Sequence, residues 1–103
     1  MEDALESSRC ARLLKAIADA ERLRIVQCLR SGARNVGEIA ASLDLEIANA
    51  SHHLGILKQS GFVLAEKQGR FVIYSLNPEI FVAKSSGNKS NRIDLGCCRI
   101  ELS

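Results

Sequence analysis

At 103 residues the chain has the length of one domain, because two separate cores would each be too small to hold. Apolar residues at 47% and charged residues at 25% lie in the globular range and exclude a wholly disordered or fibrous chain. The formal net charge is +2, with seven Lys/Arg against eight Asp/Glu in residues 1–46 and seven against four in residues 47–103; the basic second half is compatible with a nucleic-acid partner, and equally with an ordinary solvated surface.

Residues 5–20 place Leu5, Leu13, Leu14, Ile17 and Ala18 at helical spacing and predict a first helix. Asp19 is then a candidate N-cap for a second helix over residues 21–30, which repeats Leu23, Ile25, Val26 and Leu29 and ends at Ser31-Gly32. Asn35 caps a short third helix, residues 36–43, with Ile39, Ala40 and Leu43 inward. Asp44-Leu45 is a turn. A fourth helix, residues 46–60, carries Ala50, His53, Leu54 and Leu57 on one stripe and Ala48, Asn49, Ser51, His52 and Gly55 on the other, and Gly61 closes it.

The period then changes. Residues 62–68 and 71–76 are β-rich runs around Gly69-Arg70 and predict a hairpin, stopped by Asn77-Pro78. Residues 83–91, AKSSGNKSN, read as a flexible linker. Residues 93–102 alternate apolar and polar with a phase slip at Cys97-Cys98, as a strand with a bulge or kink does. The organisation expected is a domain over residues 1–82 and a linker with a Cys-Cys segment over residues 83–103. No apolar run reaches the ~18 to 20 residues of a membrane span, and the acidic start is unlike a secretory signal, so the expectation is a cytoplasmic chain with no membrane partner. Thiols there are usually reduced, so a disulfide scaffold is not expected.

Three helices, the last two separated by a short turn and followed at once by a hairpin, are the order of a winged helix-turn-helix: mainly α with a β-hairpin wing. The segments LKAIADAERLRIV (14–26), VGEIA (36–40), SHHLGILKQSGFV (51–63), Gly69-Arg70 and Tyr74-Ser75-Leu76 resemble the ArsR/SmtB family of bacterial repressors over residues 5–80. The resemblance implies a homodimer on double-stranded operator DNA, released when a metal, metalloid or oxidant reaches cysteine or histidine ligands. Members of the family often open the fourth helix with Ser/Thr-Gln-Pro, where this chain has Glu46-Ile47-Ala48; an acidic residue suits a helix N-terminus but repels a nearby phosphate.

Helix four has the small and polar outward stripe that a reading helix needs in the major groove. Asn49, Ser51 and His52 are candidate base or phosphate contacts, with Lys58 and Arg70 as backbone contacts adding affinity and salt dependence. The same stripe is also what a solvated amphipathic surface shows. His53 lies on the inward stripe and reads as a hydrogen-bonded core residue.

Two effector sites of the resembled family are missing: Asn35-Val36-Gly37 stands where some members have Cys-Val-Cys, and no histidine follows His53 for a C-terminal Asp/His site. Cysteine is left. Cys97 and Cys98 are adjacent soft ligands suited to As(III) or another thiophilic metal ion, and Cys10 is the candidate third thiolate, from either subunit, because helix one and the C-terminal segment meet at the dimer interface of this family. Cys28 reads as a small buried hydrophobe. The alternatives for the Cys pair are thiol redox sensing without metal, or plain apolar strand residues. No Gly-rich phosphate loop or Cys-His nucleophile arrangement is present, so an enzyme is not expected. A winged-helix protein-interaction module is the other class, and it differs from DNA binding in lacking a steep salt dependence.

Overall fold

The structure, a computed structural model, describes residues 2–82 and 92–102. The helices are α1 (Glu2–Ile17), α2 (Ala20–Leu29), α3 (Val36–Leu43) and α4 (Ile47–Ser60). The short strand β1 (Arg34–Asn35) precedes α3, and β2 (Val63–Gln68) and β3 (Phe71–Leu76) form the wing hairpin. These strands make one antiparallel sheet in the order β1-β3-β2. A second sheet contains β4 (Phe81–Val82), β5 (Arg92–Asp94) and β6 (Arg99–Glu101) in that order. The fold is a winged helix-turn-helix.

Helix α1 ends at Ile17, short of the expected residue 20, because Asp19 is extended (φ −156°, ψ 130°) and its carboxylate accepts from the amides of Glu21 and Arg22 to start α2. Its inward stripe is Cys10, Leu13, Ala16 and Ile17, all buried, whereas Leu14 is 39% exposed and Ala18 lies outside the helix. Asn35 caps α3 as expected, in a full capping box: its Oδ1 accepts from the Glu38 amide, and the Glu38 carboxylate accepts from the Asn35 amide. The two-residue strand β1 has no sequence signal, since neither Arg nor Asn favours strands; it forms because the chain into α3 runs alongside β3, with Arg34 opposite Tyr74 and Asn35 opposite Ile73.

The C-terminal segment departs from the expected kinked strand. It is a hairpin that reverses at Gly96-Cys97, where Gly96 takes φ +92° and the Leu95 amide donates to the Cys98 carbonyl at 2.9 Å. The phase slip at the cysteines is this reversal: Ile93 and Leu95 point inward before the turn, and Ile100 and Leu102 after it. Ile93, Leu95 and Leu102 belong to the same buried cluster as Leu13, Ile25, Leu54 and Phe62. Residues 83–91, read as a linker, lie outside the described residues.

Candidate functional site

The turn between α3 and α4 is set by Asp44, left-handed at φ 57°, and α4 ends on Gly61 at φ 95°, with its amide and that of Phe62 returning to the Lys58 and Leu57 carbonyls. Between these stops α4 buries Ala50, His53, Leu54 and Leu57 against the core. Ile47, Ala48, Ser51, His52, Gly55 and Lys58 are consequently exposed on the other side.

This exposed side faces a groove of about 430 Å³ between the N-termini of α3 and α4 and the wing, lined among others by Gly37, Ile47, Ser51, Arg70 and Phe71. Ser51 and Arg70, far apart in sequence, therefore share one concavity. The Arg70 guanidinium sits 5.5 Å from the Phe71 ring centroid, a cation–π approach at the tip of the wing. His52 and Lys58 are exposed on the same helix, but neither lines the groove. Asn49 is placed differently from the other expected contacts: it is half-buried, and its amide donates to Glu21 Oε1 at 3.2 Å. Two further residues, Ile47 and Phe71, are 59% and 50% exposed on the groove; the sequence carries no signal for them, because Ile47 is in phase with Ala50 and Leu54 and is exposed by standing in the first turn of α4, and β3 has no fully buried stripe.

Glu46, the N-cap of α4, makes no side-chain capping bond. Its carboxylate stands exposed at the entry to the groove-facing helix.

His53 is 7% exposed and fully engaged, in line with its reading as a core residue. Arg22 Nη1 lies 3.3 Å from its Nδ1, and since a guanidinium only donates, the His53 Nε2–H is left to donate to Glu21 Oε1 at 2.9 Å. Arg22 also donates from Nε to the Ala16 carbonyl at 2.6 Å. A continuous polar chain thus runs from the end of α1 through α2 to the middle of α4.

The three expected cysteine ligands come together within one chain. Cys10 on α1 is 2% exposed and forms a disulfide with Cys97 at the hairpin turn, with Cα atoms 6.2 Å apart. Cys98 is free and exposed, and the sulfurs of Cys10, Cys97 and Cys98 lie within 4.8 Å of one another. The disulfide departs from the expectation of reduced thiols: the hairpin folds Cys97 back onto α1 of the same chain. Three sulfurs each about 2.3 Å from a common ion would sit about 4 Å apart, so once reduced the three thiolates need only a small side-chain adjustment to hold a thiophilic ion. Cys28 on α2 is not with them; it is free and half-buried rather than fully buried, and its carbonyl accepts from Arg34.

Residues 17–64 match a model of a helix-turn-helix domain. The chain is 37% identical over 68 residues to the transcriptional repressor SdpR of Bacillus subtilis, covering 66% of this chain and 76% of that protein. It belongs to the ArsR/SmtB family. An arsenical resistance operon repressor of Escherichia coli is 41% identical over 69 residues, which are 66% of this chain and 59% of that repressor. A homodimeric winged helix-turn-helix DNA-binding domain from Mycobacterium bovis, a possible ArsR-family regulator, superposes with a TM-score of 0.71 at 34% identity, over 75% of this chain and 71% of that one. The ArsR/SmtB family is one of DNA-binding transcription regulators rather than enzymes. Among the described residues no helix is long and apolar enough to cross a membrane.

Proposed function

We propose that the protein is a homodimeric ArsR-type repressor. It binds operator DNA through α4 and the wing, and lets go when a thiophilic metalloid or metal ion, As(III) foremost, binds Cys10, Cys97 and Cys98. The observation that carries this reading is the convergence of Cys10 with the adjacent Cys97 and Cys98, 87 residues further along the chain, which brings three sulfurs within 4.8 Å on a chain of this family. The arsenical resistance repressor among its relatives supports the choice of As(III). Ser51 and His52 would meet bases or phosphates, Arg70 and Lys58 the flanking backbone, and Ile47 a base methyl group. Asn49 we assign to holding α4 against α2.

A second reading is favoured by the Cys10 to Cys97 disulfide. In it the two thiols give up two protons and two electrons to an oxidant such as a peroxide, which is reduced to water, and the bond itself is the signal. The two readings exclude each other at any one moment, because the disulfide withdraws two of the three thiolates. In either case the signal reaches α4 by changing how α1 sits, through Ala16, Arg22 and His53. A coupling of about 1–3 kcal/mol would weaken operator binding about 5- to 150-fold.

The test is fluorescence anisotropy of the reduced protein on duplex DNA from upstream of its own gene, titrated at fixed salt with arsenite and, separately, with peroxide. Release at near-stoichiometric arsenite supports the metalloid reading. Release by peroxide alone supports the redox reading, and absence of DNA binding even at low salt would overturn the repressor reading in favour of a protein-interaction module.

A further inference from the structure

The second sheet leaves the outer edge of β6 unpaired among the described residues. We propose that this edge is covered by the β6 of a second copy of the chain, antiparallel and centred on Ile100, so that the two C-terminal sheets become one across the dimer. The proposal rests on the homodimer reading above and says where the two copies join.

The hydrogen-bond phase is the first argument. The Leu95 amide donates to the Cys98 carbonyl, and antiparallel ladders alternate, so Ile93 and Ile100 are the next hydrogen-bonded pair. The amides and carbonyls of Arg99 and Glu101 therefore point away from β5. A two-fold axis at Ile100 sets Arg99 of one copy against Glu101 of the other, and these are the residues whose backbone groups face out.

Charge is the second, independent argument. Within one chain Arg92 is opposite Glu101 and Asp94 opposite Arg99, whose Nε and Oδ2 atoms lie 3.6 Å apart. Continuing across the axis, one row reads Arg92, Glu101, then Arg99 and Asp94 of the second copy, and the other row is its mirror. Every neighbour in both rows is of opposite sign, whereas a shift of one residue in either direction breaks the alternation. The opposite face carries Ile93, fully buried, and Ile100, half-buried, so the pairing also extends an apolar row through the axis.

The experiment is backbone amide hydrogen exchange read by NMR on the full chain, with light scattering on the same samples. In the wild type the Arg99 and Glu101 amides should be protected at least tenfold over Arg99→Glu and Glu101→Arg chains measured singly, in which like charges meet across the axis. An equimolar mixture of the two variants should recover the protection, because each supplies the charge that the other lacks; a purely intrachain role for these residues gives no such recovery. Free exchange at both amides in a chain that scatters as a dimer overturns the edge pairing and keeps the dimer. A monomer overturns both, and protection that mixing fails to recover overturns the edge pairing.

Discussion

Glu21 and His53 join α2 to the groove-facing helix: Oε1 and Nε2 are 2.9 Å apart, with the His53 side chain 9% exposed and Arg22 closing its other nitrogen. Removing the ring leaves Arg22 and Glu21 without their shared partner and opens space under α4. His53→Ala should therefore cost about 1–3 kcal/mol. Glu21→Gln keeps a carbonyl oxygen for both His53 and Asn49, and should cost about 1 kcal/mol or less. Urea midpoints with an unchanged slope would measure both losses; equal losses in the two variants would mean that the carboxylate charge, not the hydrogen-bonded geometry, holds the helices together.

The Asp19 cap ties stability to acid. The Arg22 amide bonded to its carboxylate holds the group below its ordinary value of 3.8 against the opposing effect of desolvation, and the Arg22 charge and the Glu21 amide add smaller effects in the lowering direction. Because the folded value lies below the unfolded one, the contribution is complete above the ordinary carboxylate range and is lost as pH falls through the folded value. Asp19→Asn retains an oxygen to cap α2 but carries no charge. Its melting temperature should fall below that of the wild type at neutral pH, with the gap closing as both are taken to acid. A gap that is constant with pH would show that the cap works by geometry alone.

The helices and wing were legible because their signals are local: Asn35 and Glu38 stand at capping-box spacing, Gly61 marks the end of α4, and Gly69 marks the wing turn. His53 could be placed as well, since its phase matches Leu54 and Leu57. What escaped depends on tertiary placement. The stop of α1 is not legible, because Ala18 and Ala20 favour a helix and only the extended backbone of Asp19 breaks it. Asn49 sits at the border of two faces, and which way its amide turns is decided by Glu21 on another helix. The cysteine trio was named from chemistry, but its closure within one chain depends on the reversal at Gly96, which in sequence looked like a kink.

Contacts to the DNA backbone should show in salt dependence. Each phosphate contact adds about 0.9 to the slope of log K against log salt, so Arg70→Ala, present twice in a dimer, should reduce its magnitude by about 2. His52→Ala should weaken binding as well, with dimerisation unchanged for both in light scattering. Glu46→Gln should act in the opposite sense and tighten binding, since it removes an exposed charge beside the N-terminus of α4. Unchanged affinity in both His52→Ala and Arg70→Ala would place the DNA face elsewhere.

The cysteines can be separated by which chemistry each substitution removes. Cys97→Ser with Cys98→Ser removes two ligands and one half of the disulfide, so the variant should bind DNA and respond to neither arsenite nor peroxide. Cys98→Ser alone spares the disulfide and takes away the third thiolate; arsenite release should shift to higher concentration while peroxide release persists wherever the bond is the signal. Cys10→Ser should abolish both responses, and Cys28→Ser neither, because Cys28 lies apart from the cluster. Anisotropy titrations across the four variants give a pattern that each reading fixes in advance. Wild-type arsenite release in Cys98→Ser would exclude a three-thiolate site, and wild-type behaviour of the double variant would place the sensor outside this hairpin.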